Sequence, residues 1–152
     1  MKIITIFSFV LYLSLIKSFL ITKPSNAFFP RINEPNLQEL KSTSIKIGQT
    51  AIKLIQLGQN NEAIKLLKLA VKLNPKERDL WTSLAEAQIR SNKNYQALSS
   101  LNKAIKLQPT EESIYFMQAS VYMDLNDPQK AKASITKGLF INRNNERGYF
   151  QL

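Results

Sequence analysis

The run WTSLAEAQIRSNKNYQALSSLNKAIKLQP, Trp81 to Pro109, decides the fold, because its landmark residues return at one fixed interval on either side. Written in rows of 34 starting at Ser44, Arg78, Glu112 and Glu146, the chain aligns without a gap. Trp81 shares a column with Ile47, Tyr115 and Tyr149, Leu84 with Thr50, Gln118 and Leu152, and Ala85 with Ala51 and Ala119. Further columns collect Leu54, Gln88 and Tyr122; Ala63, Ala97 and Ala131; Leu67, Leu101 and Ile135; Ala70, Ala104 and Gly138; and Pro75, Pro109 and Arg143. Self-similarity at such a period signals stacked supersecondary units, each burying its apolar face only against its neighbours.

Within every row the apolar residues recur at three and four residue spacings, the period of an amphipathic helix. The predicted pairs are Thr43 to Leu57 with Glu62 to Leu73, Lys76 to Ser91 with Tyr95 to Leu107, and Glu111 to Leu125 with Pro128 to Ile141. The polar breaks GQNN, SNKN and NDP separate the members of each pair. Asp127 is placed to cap a helix whose first residue is Pro128, and Thr110 to cap the helix that begins with Glu111 and Glu112. The alanine columns let paired helices approach closely, so they read as packing positions. Trp81 reads the same way. Ahead of the first row, Pro30 and Pro35 favour an extended lead, and Asn36 with Glu39 forms a capping-box pattern that can start a helix running into it; an unstructured tether is the alternative.

Trp81, Leu84, Ala97, Leu101, Ala104 and Pro109 resemble the tetratricopeptide repeat (TPR) pattern of Trp, Leu, Gly, Tyr, Ala, Phe, Ala and Pro. The resemblance covers residues 44–145 as three repeats, 44–77, 78–111 and 112–145, with 146–152 as the opening of a truncated fourth. Gln88 stands in place of the second repeat's aromatic, Gly138 in place of the third repeat's second small alanine, and Arg143 in place of its proline. The resemblance implies an all-α TPR solenoid of antiparallel helix pairs wound into a right-handed superhelix, of an exported or membrane-anchored bacterial type. It further implies a concave groove, lined by the first helix of each repeat, that holds a peptide or a protein surface. Carried over by position, the groove would present Ile45, Gly48, Ile52 and Gln56 from the first repeat. The second would add Asp79, Thr82, Glu86 and Arg90, and the third Ser113, Ser120, Asp124 and an exposed aromatic, Phe116. One TPR subclass clamps a C-terminal carboxylate with Lys and Asn on the first such helix, and Gly48 and Ile52 at those places argue against a clamp here.

The composition narrows the chemistry. Cysteine and histidine are both absent, which removes thiol nucleophiles, disulfides, structural zinc sites and imidazole bases. The four glycines are scattered, so no phosphate-cradling loop is present, and no base, nucleophile or metal set can be named. The expectation is a scaffold that is no enzyme and needs no cofactor. The formal charge is +10. Much of the lysine falls on the predicted second helices as Lys65, Lys68, Lys72, Lys103, Lys106, Lys130, Lys132 and Lys137. Such a face reads as solvation of the outer surface, or as attraction to anionic lipid or an acidic partner that salt weakens. Nothing in it resembles a nucleic-acid fold signature, and nucleic acid is not expected as a partner.

The opening MKIITIFSFVLYLSLIKSFLITKPSNA has a basic start, an apolar run from Ile3 to Ile16, and small residues at Ser25 and Ala27. It reads as a secretory signal cleaved after Ala27, exporting the rest to a periplasm, a thylakoid lumen or the extracellular space. The alternative is a retained anchor over residues 3–21. That anchor would suit an assembly factor for an envelope or photosynthetic membrane complex. The row that begins at Glu146 stops within its first predicted helix, so either the array continues in a longer protein or its apolar end pairs with another molecule, and a truncated product is the expectation.

Overall fold

The computed structural model describes residues 36–142, and these are helical apart from short connections. Six helices follow one another: α1 Leu37–Gln56, α2 Asn60–Leu73, α3 Arg78–Arg90, α4 Asn94–Leu107, α5 Glu112–Asp124 and α6 Pro128–Ile141. They pack as three consecutive pairs, α1 with α2, α3 with α4 and α5 with α6, and each pair also meets the next. The leader, the cleavage region and the 146–152 segment fall outside the described residues.

Helix α1 begins at Leu37, where the Asn36 side chain accepts a hydrogen bond of 3.0 Å from the Gln38 amide. Residues 37–43 of the lead and the first helix of the first repeat are thus one helix of 20 residues. Asp127 caps α6 as expected, accepting from the Lys130 amide at 3.1 Å with Pro128 as the first helical residue. The expectation for Thr110 is corrected: Glu111 occupies the N-cap of α5 without a side-chain bond to the backbone, and its carboxylate instead accepts from Ser113 Oγ at 2.8 Å. A longer side chain one position nearer the helix takes the place the hydroxyl was expected to fill.

The turns inside the three pairs are copies of one another. Gly58, Asn92 and Asn126 stand one repeat apart, and all three adopt left-handed backbone conformations with φ of 76°, 56° and 55°. The amides that follow them, of Gln59, Lys93 and Asp127, bond back to the carbonyls of Leu54, Gln88 and Tyr122 at 2.9, 2.8 and 2.9 Å. Together with bonds from Gly58, Asn92 and Asn126 to Ile55, Ile89 and Met123, this is the Schellman closure that ends a helix and reverses the chain. Glycine and asparagine are the residues that take this conformation at least cost, which explains a column of Gly, Asn and Asn.

The core is a series of three clusters, of which the first two share Trp81 at their border. Ala51, Ala63, Leu67 and Ala70 are fully buried in the first, and Ala85, Ala97, Leu101 and Ala104 in the second. Ala119, Ala131, Ile135 and Leu139 form the third. Trp81 packs against both the first and the second clusters. Its indole Nε1 donates to the Pro75 carbonyl at 2.8 Å, and one repeat later Tyr115 Oη donates to the Pro109 carbonyl at 3.1 Å. The aromatics of the second and third repeats therefore tie each of them to the proline carbonyl near the end of the repeat before, on top of their packing.

Polar substitutions inside the core come with partners. Gln88 is buried and accepts from Ser100 Oγ at 2.8 Å. Gln118 accepts from Ser134 Oγ at 3.0 Å and donates to Asn102 Oδ1 at 2.9 Å. Leu54 and Leu66 hold the first-repeat places of Gln88 and Ser100, and both pack against the apolar cluster there. A buried amide left unpaired would be costly, so the glutamine in the second repeat requires the serine across from it.

Candidate partner-binding groove

The first helices of the three repeats are α1, α3 and α5, and α1 meets α3 directly. On α1, residues at three and four residue steps carry Ile45, Gly48 and Gln49, Ile52 and Gln56 along one stripe. Ile45 and Ile52 are 44% and 42% exposed, although they are aliphatic. They face a cleft of about 260 Å³ between α1 and α3, whose remaining walls are Gly48, Gln49, Glu77, Asp79, Leu80 and Ser83.

Gly48 makes this cleft possible. A Cβ at that position would lie 2.5 Å from Leu80 Cδ2, so the Leu80 side chain occupies the space that any larger residue would need. Gly48, placed among the groove positions by the resemblance, is buried and lines the cleft from its floor, with Leu80 itself 5% exposed. Leu80, Glu77, Gln49 and Ser83 were not singled out from the sequence. Their presence depends on how α3 crosses α1, and the only local signal is the glycine itself.

The corresponding step from α3 to α5 is polar. Asp79, Thr82 and Glu86 occupy the positions equivalent to Ile45, Gly48 and Ile52. Thr82 is half-buried, with Oγ1 donating to the Arg78 carbonyl at 3.2 Å. Glu86 and Arg90 form a salt bridge of 3.0 Å on the helix surface, and Arg78 reaches Asp79 at 2.9 Å. Exposed pairs of this kind contribute little stability but hold the side chains in defined directions.

On α5, Ser113, Ser120 and Asp124 are exposed. Phe116 is not the exposed aromatic that was expected. Its ring is half-buried and packs over Gly138 of α6, close enough that a Cβ on Gly138 would lie 3.0 Å from Cε1 and Cζ. Loss of the alanine at 138 and gain of a phenylalanine at 116 are thus one packing solution. The groove candidates fall into an aliphatic pair at the cleft, Ile45 and Ile52, with exposed Gln56 one turn beyond them on α1, and a polar group, Glu86 with Arg90. Ser120 and Asp124 lie further along on α5.

A second depression, of about 440 Å³, lies at the far end and is lined by Pro109, Tyr115, Thr136, Lys137, Phe140 and Ile141. One repeat earlier the same surface is met by α5, through the bond from Gln118 to Asn102. At Asn142 the described chain ends with its side-chain amide donating to Glu112 Oε1 at 3.0 Å, which holds the Glu112 carboxyl below its ordinary range. Among the described residues no helix is long and apolar enough to cross a membrane, and no cluster of acidic side chains could hold a metal ion.

The sequence profile of the tetratricopeptide repeat matches residues 47–77, 79–111 and 112–145, more than half of the chain. The chain belongs to the tetratricopeptide repeat family. No curated protein sequence matches it. Among solved structures, the TPR fold recurs in a crystal structure of MamA, at 20% identity and a TM-score of 0.69 over 76% of this chain and 71% of that one. It recurs in the first TPR of Spaghetti (RPAP3) bound to the HSP90 peptide SRMEEVD, at 22% identity and a TM-score of 0.70 over 74% and 89%. The Arabidopsis OM64 TPR domain gives 18% identity and a TM-score of 0.70 over 74% and 93%. At these identities the likeness is one of fold.

Proposed function

We propose that this TPR protein is a non-catalytic interaction scaffold that holds a peptide or a protein surface on the face formed by α1, α3 and α5. The observation that carries this reading is the aliphatic cleft at Ile45 and Ile52, since exposed aliphatic side chains gathered around a concavity mark interaction sites. It is supported by the structural likeness to the first TPR of Spaghetti (RPAP3), which was solved with a bound peptide. The cleft works with the polar step beside it: apolar contacts supply affinity, while Glu86, Arg90, Ser120 and Asp124 supply direction and register.

The test is photo-crosslinking in the native cell, with a benzophenone amino acid placed at Ile52 and, as a control, at Leu69, an exposed residue of α2. Adducts from position 52 that are missing from position 69 are expected. Equal adducts from both positions would sink the groove reading.

The lysines of the second helices favour a second reading. Lys65, Lys68, Lys72, Lys103, Lys106, Lys130, Lys132 and Lys137 are all exposed, against a single acid, Glu62, on those helices. That face is suited to an anionic membrane surface, towards which export or anchoring by residues 1–27 would bring it. An anchored form would serve as an assembly factor at an envelope or photosynthetic membrane. Vesicle sedimentation with and without phosphatidylglycerol, at low and high salt, checks this; retention that ignores salt, or no retention at all, counts against it. A mature N-terminus at Phe28 would establish cleavage.

A further inference from the structure

Resting on the groove reading, we propose that the cleft between α1 and α3 receives one Val, Ile or Leu side chain of an extended segment, and that a Lys or Arg beside that residue is held by Glu77 and Asp79. The cleft is smaller than the several hundred cubic ångströms typical of drug-sized sites, so it suits a single branched side chain. Its floor and long walls are aliphatic, and both of its charged lining residues are acids. No lysine or arginine lines it. Asp79 is shared with Arg78, whereas Glu77 enters no ion pair among the described residues and keeps its charge for a ligand. An acidic segment placed here would meet like charge, and a basic one would find a charge-assisted partner at the rim. Gln49 and Ser83, on opposite walls, can bond the backbone of an extended chain.

The distribution of charge over the molecule points the same way. The second helices carry eight exposed lysines against one acid, Glu62, whereas the charged lining of the cleft is acidic, so a basic segment is repelled from those helices and drawn to the cleft. The chemistry is therefore opposite to that of a site built for an acidic peptide.

The full chain is probed with a positional-scanning library of capped heptapeptides carrying a fixed central residue. Wild type should enrich central Val, Ile or Leu with an adjacent Lys or Arg by about tenfold over the same peptides with Asp or Glu there. Glu77→Gln with Asp79→Asn should abolish the basic preference and keep the aliphatic one; Ile52→Gln should weaken the aliphatic one. Circular dichroism confirms that each variant folds. A library enriched in acids, or a basic preference untouched by the double variant, overturns this inference. If binding still responds to Ile52→Gln or Arg90→Glu in that case, the groove reading survives. Binding that ignores every groove variant overturns both, and retention of no peptide overturns the inference alone, leaving the groove to the photo-crosslinking result.

Discussion

The two steps along the groove face are built on the same backbone plan and differ in chemistry. Between α1 and α3, Ile45, Gly48 and Ile52 face Leu80; between α3 and α5, Asp79, Thr82 and Glu86 stand in the same places and Ile114 replaces Leu80. In the first step the missing Cβ of Gly48 lets Leu80 lie across the floor, and a cleft stays open above it. In the second, Thr82 supplies a Cβ and a hydroxyl that folds back on its own helix, while Ile114 is wholly buried. A repeat architecture thus keeps the alanine columns that pack paired helices together, and varies the columns along the groove face, where the neighbouring helix packs to match each residue.

The comparison can be broken most severely at the residue the two steps share. Trp81→Ala should destabilise the protein by about 3 kcal/mol, at the lower end for a tryptophan because the ring is only half-buried, and chemical denaturation should show the two clusters unfolding less cooperatively. Gly48→Thr copies the second step into the first. Overpacking against Leu80 should cost about 2 kcal/mol and remove the cleft, so any ligand of the aliphatic group should be lost while Glu86 and Arg90 remain paired. Calorimetry and peptide binding check the two halves of that statement.

Ser100→Ala tests whether the polar core of the second repeat differs in kind from the leucine pair of the first. It should cost about 1 to 2 kcal/mol by stranding the Gln88 amide, whereas Ser100→Ala with Gln88→Leu, the apolar solution of Leu54 and Leu66, should recover most of the loss. A double variant no better than the single one would show that the hydrogen bond is not what the site requires. Tyr115→Phe removes only the bond to Pro109, and about 1 kcal/mol is expected in urea titration.

The smallest effect is one of pH. The Asp127 carboxyl is held below its ordinary value, first by the Lys130 ammonium that bonds it and then by the Lys130 amide. Its folded-state value is depressed, so the stabilisation it contributes is complete above the ordinary carboxylate range and is lost as pH falls through the lowered value. The thermal midpoint of wild type should therefore drop slightly more on acidification than that of Asp127→Asn. Because the pair lies at the surface, high salt should shrink the difference.

Much of the architecture was readable along the chain. The 34-residue columns located all three helix pairs, and Pro128 after Asp127 placed the start of α6 at the residue where it begins. The breaks GQNN, SNKN and NDP marked the turns, but the column of Gly58, Asn92 and Asn126 within them, and the left-handed closure it makes, came only with the structure. Thr110 was misread because a hydroxyl before two glutamates satisfies the capping pattern as well as the true boundary does. The groove was harder. The stripe of Ile45, Ile52 and Gln56 came from the resemblance to the repeat family, carried over by position, and their three and four residue spacing keeps them on one side of α1. Gly48 does line the cleft, buried against Leu80, whereas Phe116 was wrongly expected to be exposed, because exposure at a groove position depends on the neighbouring helix and its ring lies over Gly138.

By itself the sequence determined the repeat, the pairing of helices, the places of the turns and the sorting of alanine, leucine and aromatic residues into packing columns. Those features arise from local periodicity and from residue types with narrow conformational preferences. Only the tertiary structure decided that Ser100 would answer Gln88, that Phe116 would lie over Gly138, and that Leu80 would leave an open cleft beneath Ile45 and Ile52. Such pairings join side chains on different helices, and they depend on the distance and rotation at which those helices cross, which no stretch of either helix specifies alone.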